Sequence, residues 1–132
     1  MTEDRPFSPS AERNREPIRQ VLAAWLPESG TMLEIGAGTG QHARHFAASL
    51  PGWAWHATNR PEEMSQLEAG LAGLDIGNLH PPRALDVTGD WPEGPWDAVY
   101  SANTAHIMDR AAVEAMFAGV GRSLAPRGLF FL

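Results

Sequence analysis

A chain of 132 residues, 43% hydrophobic and 20% charged, has the composition of one ordinary globular domain. Its formal charge of −6 leaves no basic stripe along which to neutralise phosphates, so nucleic acid is an unfavoured partner. There is no cysteine, and all ten basic residues are arginine, which removes disulfides, thiolate nucleophiles, cysteine metal sites, a phosphate-loop lysine and Schiff-base chemistry.

No stretch approaches the roughly 20 apolar residues that span a bilayer. The opening residues Met1 to Pro6 carry no apolar signal core, so the expected location is cytoplasmic with no membrane contact. Residues 1–10, with two prolines and two serines, read as an N-terminal arm, and residues 11–132 as the globular domain. Ile18, Val21, Leu22, Trp25 and Leu26 recur at spacings of three and four and predict one apolar helix stripe ended by Pro27. Pro17 suits a first helical position, so the regular helix is expected from there, entered through Asn14 to Glu16.

After the turn signal Pro27-Glu28-Ser29-Gly30, the run Thr31 to Ile35 predicts a buried strand that ends in glycines. Gln41 to Leu50 follows as a helix with Ala43, Phe46, Ala47 and Leu50 on one face, stopped by Pro51-Gly52. The alternation continues with a strand at 53–58, a helix at 62–74, a strand at 83–87, a Pro/Gly-rich loop, a strand at 97–102, a helix at 110–124 and a last strand at 129–132. Strands alternating with helices imply an α/β fold with a parallel sheet flanked by helices on both faces. The chain stops inside the fifth strand, which suggests a piece of a longer protein, and an unpaired final strand would favour a homodimer.

Glu34-Ile35-Gly36-Ala37-Gly38-Thr39-Gly40 sits where strand hands over to helix. Glycines there admit positive φ and let backbone approach a ligand, and the following helix points its free N–H groups and dipole into the same space. A dinucleotide turn would be Gly-x-Gly-x-x-Gly, but the third position is Gln41. The spacing Gly-x-Gly-x-Gly after an acidic residue resembles the class I S-adenosylmethionine-dependent methyltransferases. That resemblance implies S-adenosyl-L-methionine as cofactor, with Glu34 on its ammonium side and Gly36, Ala37, Gly38, Thr39 and Gly40 along its aminoacyl part and sulfonium flank.

The same resemblance implies further contacts. Asn59 stands where the second strand usually ends in an acidic residue that takes the ribose hydroxyls, and an amide there lacks charge assistance. Asp86 would meet the adenine amine with Val87 packing beside the base, the alternative for Asp86 being a loop carboxylate or cap. Trp91 would cover the cofactor or pack on the core. Ligands of open α/β sheets sit beyond the carboxyl ends of the strands, which singles out Ser101, Asn103, Thr104 and His106 after the fourth strand. Ser101 is expected at the cofactor, and Asn103 and His106 at the reacting end, with His106 as a base or substrate contact, or else a structural histidine. His42 and His45 have metal-compatible spacing but no third ligand in register, so no metal is expected.

Ser8-Pro9-Ser10-Ala11-Glu12-Arg13-Asn14-Arg15-Glu16-Pro17-Ile18 is a more specific signature. With Gly38-Thr39-Gly40-Gln41-His42, Leu85-Asp86-Val87 and Ser101 to Ile107, it looks like the domain-of-unknown-function 938 family, which includes the methyltransferase-like 26 proteins. The resemblance implies a Rossmann-like class I methyltransferase fold that runs on beyond the fifth strand, so that this chain is truncated there. It also implies methyl transfer to an acceptor, here expected to be a small molecule. Glu12, Arg13 and Asn14 would close over the cofactor or substrate, or form a helix-cap network. The rival functions are a non-catalytic methyltransferase-like ligand-binding or interaction protein and an NAD-binding oxidoreductase module.

Overall fold

Five parallel strands lie in the order β3-β2-β1-β4-β5, and the chain reverses its direction of travel across the sheet between β1 and β4. The structure, a computed structural model, describes residues 5–102 and 108–132. Its elements are α1 (Pro9–Trp25), β1 (Gly30–Glu34), α2 (Gln41–Ser49), β2 (Trp53–Asn59), a 3-10 turn (Pro61–Glu63), α3 (Met64–Leu71), β3 (Arg83–Ala84), β4 (Trp96–Tyr100), α4 (Arg110–Ser123) and β5 (Leu124–Phe131). This is the α/β parallel sheet flanked by helices that the alternation of elements predicts, in the Rossmann-like form the family resemblance implies. Among the described residues no helix is long and apolar enough to cross a membrane.

The central strands β1, β2 and β4 are largely buried, and their side chains alternate between the two faces, whereas β3 is exposed and β5 only partly covered. Met32, Trp53, Trp55, Ala57, Ala98 and Tyr100 meet Leu22 of α1, Ala43 and Phe46 of α2 and Leu67 of α3 in one core. Leu33, Ile35 and Val99 face the other way and pack with Leu85, Val87, Met116 and Val120. Trp91 belongs to this second core. Its Nε1 donates to Val87 O at 2.9 Å, and its ring lies so close to α4 that a Cβ at Gly119 would stand 2.1 Å from it. Of the two readings of Trp91, packing is the one observed.

Several boundaries differ from expectation. Helix α1 starts at Pro9, inside the expected arm, because Ser8 caps it by accepting from Ala11 N at 3.3 Å and Pro9 supplies the first helical φ. Pro17 therefore lies inside the helix, where it has no N–H to offer the carbonyl of Arg13. The apolar stripe of α1 also divides: Leu22 is buried and Ile18 and Leu26 pack against the core, whereas Val21 and Trp25 are exposed. Strand β3 is only Arg83–Ala84, so Asp86 lies beyond it in a turn, and β5 begins at Leu124 with a register break between Trp96 and Ala98 of β4.

Candidate functional site

The chain leaving β1 straddles the reversal point of the sheet. Ile35 N donates to Tyr100 O of β4 at 2.8 Å, and two residues later Ala37 N donates to Thr58 O of β2 at 2.8 Å. To bridge both neighbours in so few residues the backbone turns sharply, and Gly36 and Gly38 take φ of 71° and 60°. A Cβ on Gly38 would meet nothing within 4 Å, so this turn faces open space. That space is a cleft of about 960 Å³ beyond the carboxyl ends of the strands.

Of the residues singled out from sequence, Glu34, Gly36, Ala37, Gly38 and Thr39 line the cleft floor, and Asp86 and Val87 line one wall. Three other predicted residues do not line it. Gly40 begins α2 and abuts α3, where a Cβ would fall 2.8 Å from Leu71 Cδ2; its lack of a side chain serves packing. Ser101 is buried and its hydroxyl donates to Ile35 O at 3.0 Å, which fastens the end of β4 to the chain leaving β1.

Asn59 is the third correction. Its Oδ1 accepts from Gly38 N at 2.8 Å, while its Nδ2 donates to Gly38 O at 3.1 Å and to Glu63 O at 3.0 Å. The amide thus clamps the glycine turn to the 3-10 turn and is 1% exposed. A carboxylate could accept the one N–H but donate to neither carbonyl, so the residue that departs from the usual acidic pattern does what only an amide can do here. The carboxylates on this wall come from the 3-10 turn instead, as Glu62 and Glu63.

Glu34 is the most perturbed acid of the cleft. It is 3% exposed, and one oxygen accepts from Trp55 Nε1 at 2.9 Å. Loss of hydration dominates over that bond and pushes its pKa up to about 7. Asp86 behaves oppositely: it is exposed, its Oδ1 accepts from the Thr88 hydroxyl at 2.7 Å and Thr88 N at 3.0 Å, and these bonds hold its pKa low. Asp86 therefore caps a turn and lines the cleft at once. Asp109 lies at the far wall and caps α4 by accepting from Ala112 N at 2.8 Å.

His42, for which the sequence leaves a structural or surface role, lines the cleft and is bonded on both ring nitrogens. The Tyr100 hydroxyl lies 3.0 Å from its Nδ1, and its Nε2 lies 3.0 Å from Ala11 O. A carbonyl only accepts, so Nε2 carries the proton and Nδ1 accepts from Tyr100. Burial lowers the pKa of His42 and raises that of Tyr100, which keeps both neutral. The chain β4–α2–α1 is thereby bonded through the cleft floor. Gln41, in place of a dinucleotide-type third glycine, is buried and accepts from Ser8 N and the Thr39 hydroxyl while donating to Glu12 at 3.3 Å.

Sequence reasoning missed Trp55, Tyr100 and Gly70 as site residues. The alternation Trp53, Trp55, Ala57 puts Trp55 on the face of Glu34 once β2 is set beside β1, so a signal existed. Gly70 had none: a Cβ there would fall 1.8 Å from Thr39 O, a contact made only by the packing of α3 on the turn. Asn103 and His106 lie outside the described residues. Among those residues no cluster of three metal-ligating side chains occurs.

A parallel sheet reversed at β1/β4, with a glycine turn and cleft above it, is the architecture of class I methyltransferases, and solved structures of that fold superpose on it. A glycopeptide N-methyltransferase, MtfA, matches with a TM-score of 0.73 at 19% identity, over 95% of this chain and 60% of its own. The amino pentose methyltransferase CalS10 from Micromonospora echinaspora, with S-adenosylmethionine bound, matches at 0.67 and 23%, over 98% and 57%. An O-methyltransferase family 2 protein from Planctomyces limnophilus, in complex with apigenin, matches at 0.68 and 20%, over 92% and 40%. The chain thus spans about three fifths or less of the length of these proteins. The chain itself belongs to the family described as Protein of unknown function (DUF938), whose model matches residues 5–132.

Proposed function

We propose that this chain binds S-adenosyl-L-methionine in the cleft above Gly36 to Thr39 and is the cofactor-binding part of a methyltransferase acting on a small molecule. The observation that carries the reading is Glu34: a carboxylate 3% exposed at the floor of a cleft, with one donor and a pKa raised to about 7. A buried acid without a cationic partner is costly, and a ligand with an ammonium and a sulfonium supplies one. Gly38, with no neighbour within 4 Å of a Cβ position, leaves backbone free to approach that ligand.

When bound, the cofactor would supply an activated methyl group. The chain's own residues would orient it: Glu34 toward the ammonium, the glycine turn along the aminoacyl part, Glu62 or Glu63 near the ribose because the turn engages Asn59, and Asp86 with Val87 beside the adenine. Transfer from a sulfonium is an in-line displacement, for which orientation, exclusion of water and a proton acceptor suffice. His106 is the proposed base or acceptor contact, with Asn103 beside it in sequence.

Calorimetric titration of the chain with S-adenosylhomocysteine tests this. Micromolar binding, with none for NAD, is the expected result; binding of NAD without a response to S-adenosylhomocysteine would overturn it. The commitment of Asn59 to the turn favours a second reading, a methyltransferase-like protein that binds the ligand without catalysis. Binding of S-adenosylhomocysteine with no methyl transfer to any acceptor in extracts supplied with labelled S-adenosylmethionine would support that one.

A further inference from the structure

The wall of the cleft formed by α1 carries two polar side chains that the fold engages little, an exposed arginine and a half-buried asparagine. Arg13 and Asn14 both line the cleft. Arg13 donates one long bond, 3.3 Å, to the Ser10 hydroxyl and pairs with no carboxylate among the described residues; Asn14 makes no side-chain hydrogen bond among them.

This is out of pattern for the helix and for the cleft. Along α1 the charges are paired at i,i+3: Glu12 with Arg15 at 2.8 Å and Glu16 with Arg19 at 2.6 Å. Glu16 is also three residues from Arg13, yet it serves Arg19. In the cleft, Glu34, Glu62, Glu63, Asp86 and Asp109 set an acidic tone, and the other lining arginine, Arg60, is held by Glu63 at 2.8 Å. Arg13 is therefore the lining cation that no carboxylate of the described fold satisfies. A planar guanidinium accepts a carboxylate through two parallel bonds, and an amide on the next residue adds a donor.

We propose that Arg13 and Asn14 form a carboxylate-binding subsite in the α1 wall of the cleft. The proposal rests on the cofactor reading above to the extent that one source of the carboxylate is the cofactor's own aminoacyl group; the other source is the methyl acceptor. A ligand that is cationic toward Glu34 and anionic toward Arg13 matches the charge layout of the floor and the α1 wall.

Titration of wild type, Arg13→Met and Asn14→Ala with S-adenosylhomocysteine and with 5′-methylthioadenosine, which lacks the aminoacyl group, separates the sources. Circular dichroism first establishes that the variants fold; both positions are on the helix surface. If the carboxylate is the cofactor's, Arg13→Met weakens S-adenosylhomocysteine tenfold or more and leaves 5′-methylthioadenosine within twofold, with a smaller selective loss for Asn14→Ala. If it is the acceptor's, both nucleosides bind unchanged. Acetate then perturbs the Arg13 side-chain resonance of the S-adenosylhomocysteine complex at millimolar concentration and has no such site in Arg13→Met. Equal losses for the two nucleosides, or no loss together with no Arg13-dependent acetate binding, overturn the proposal. Should wild type bind neither nucleoside, the cofactor reading falls by itself, and the acetate titration of the unliganded chain decides the subsite.

Discussion

Glu34 and Asn59 end neighbouring strands, are 3% and 1% exposed, and flank the same glycine turn in space, yet their side chains do opposite work. Asn59 has its oxygen and its nitrogen engaged by Gly38 and Glu63, so it is neutral, satisfied and turned into the scaffold. Glu34 has one donor, Trp55, and an unfavourable charge that faces the cleft. Burial alone does not distinguish a site residue from a structural one. What remains unsatisfied after the fold is complete does.

The largest effect that would break this comparison is Asn59→Asp. It removes both donors and places a carboxylate against two carbonyls, so we expect a loss of about 3 kcal/mol or more in urea denaturation. A stability unchanged within 0.5 kcal/mol, roughly the size of an ordinary surface substitution, would return Asn59 to the ribose.

Glu34→Gln comes next and acts on binding. We expect S-adenosylhomocysteine affinity to fall between about tenfold and a hundredfold, the range for loss of a charged hydrogen bond. The same variant has a pH signature. Because the folded pKa of Glu34 is raised, the folded state holds a proton between pH 4.5 and about 7 that the unfolded chain has released, so stability falls across that window as pH rises and levels off above it. At about 1.4 kcal/mol per unit the Glu34 contribution is about 3 kcal/mol, and denaturation of Glu34→Gln from pH 4 to 8 should lack it.

Two smaller changes sharpen the picture. Tyr100→Phe leaves the buried Nδ1 of His42 without its donor and should cost about 1–2 kcal/mol of stability with little change in ligand affinity. Asp86→Asn, on an exposed residue, should weaken an adenine-containing ligand about threefold to tenfold without altering stability beyond a few tenths of a kcal/mol.

How much of this is legible in the sequence follows from which interactions are local. The Glu34 to Gly40 turn reads directly, because an acidic strand end followed by glycines at alternate positions has local geometric meaning, and the parallel α/β order reads from the alternation of periods. The start of α1 was missed because Ser8-Pro9 as a cap looked like loop composition, and Pro17 falsely marked a first turn. The fate of Asn59 was invisible because it depends on where Gly38 O and Glu63 O come to lie. Gln41 likewise reads as a missing glycine, although in three dimensions it ties Ser8, Glu12 and Thr39 together. Arg13 was legible as a residue of interest near the cofactor, but its lack of a carboxylate is apparent only when Glu16 is seen beside Arg19.

The central claim is that Glu34 is the cleft's receptor for a cationic ligand. Titration calorimetry with S-adenosylhomocysteine at pH 6.5, in two buffers of different ionisation enthalpy, measures it most directly. The raised pKa of Glu34 leaves part of the molecules protonated there at this pH, and an ammonium placed beside it lowers that pKa. Binding should therefore release protons in wild type and none in Glu34→Gln. Tight binding with the same heat in both buffers, or no binding up to millimolar ligand, would contradict the account.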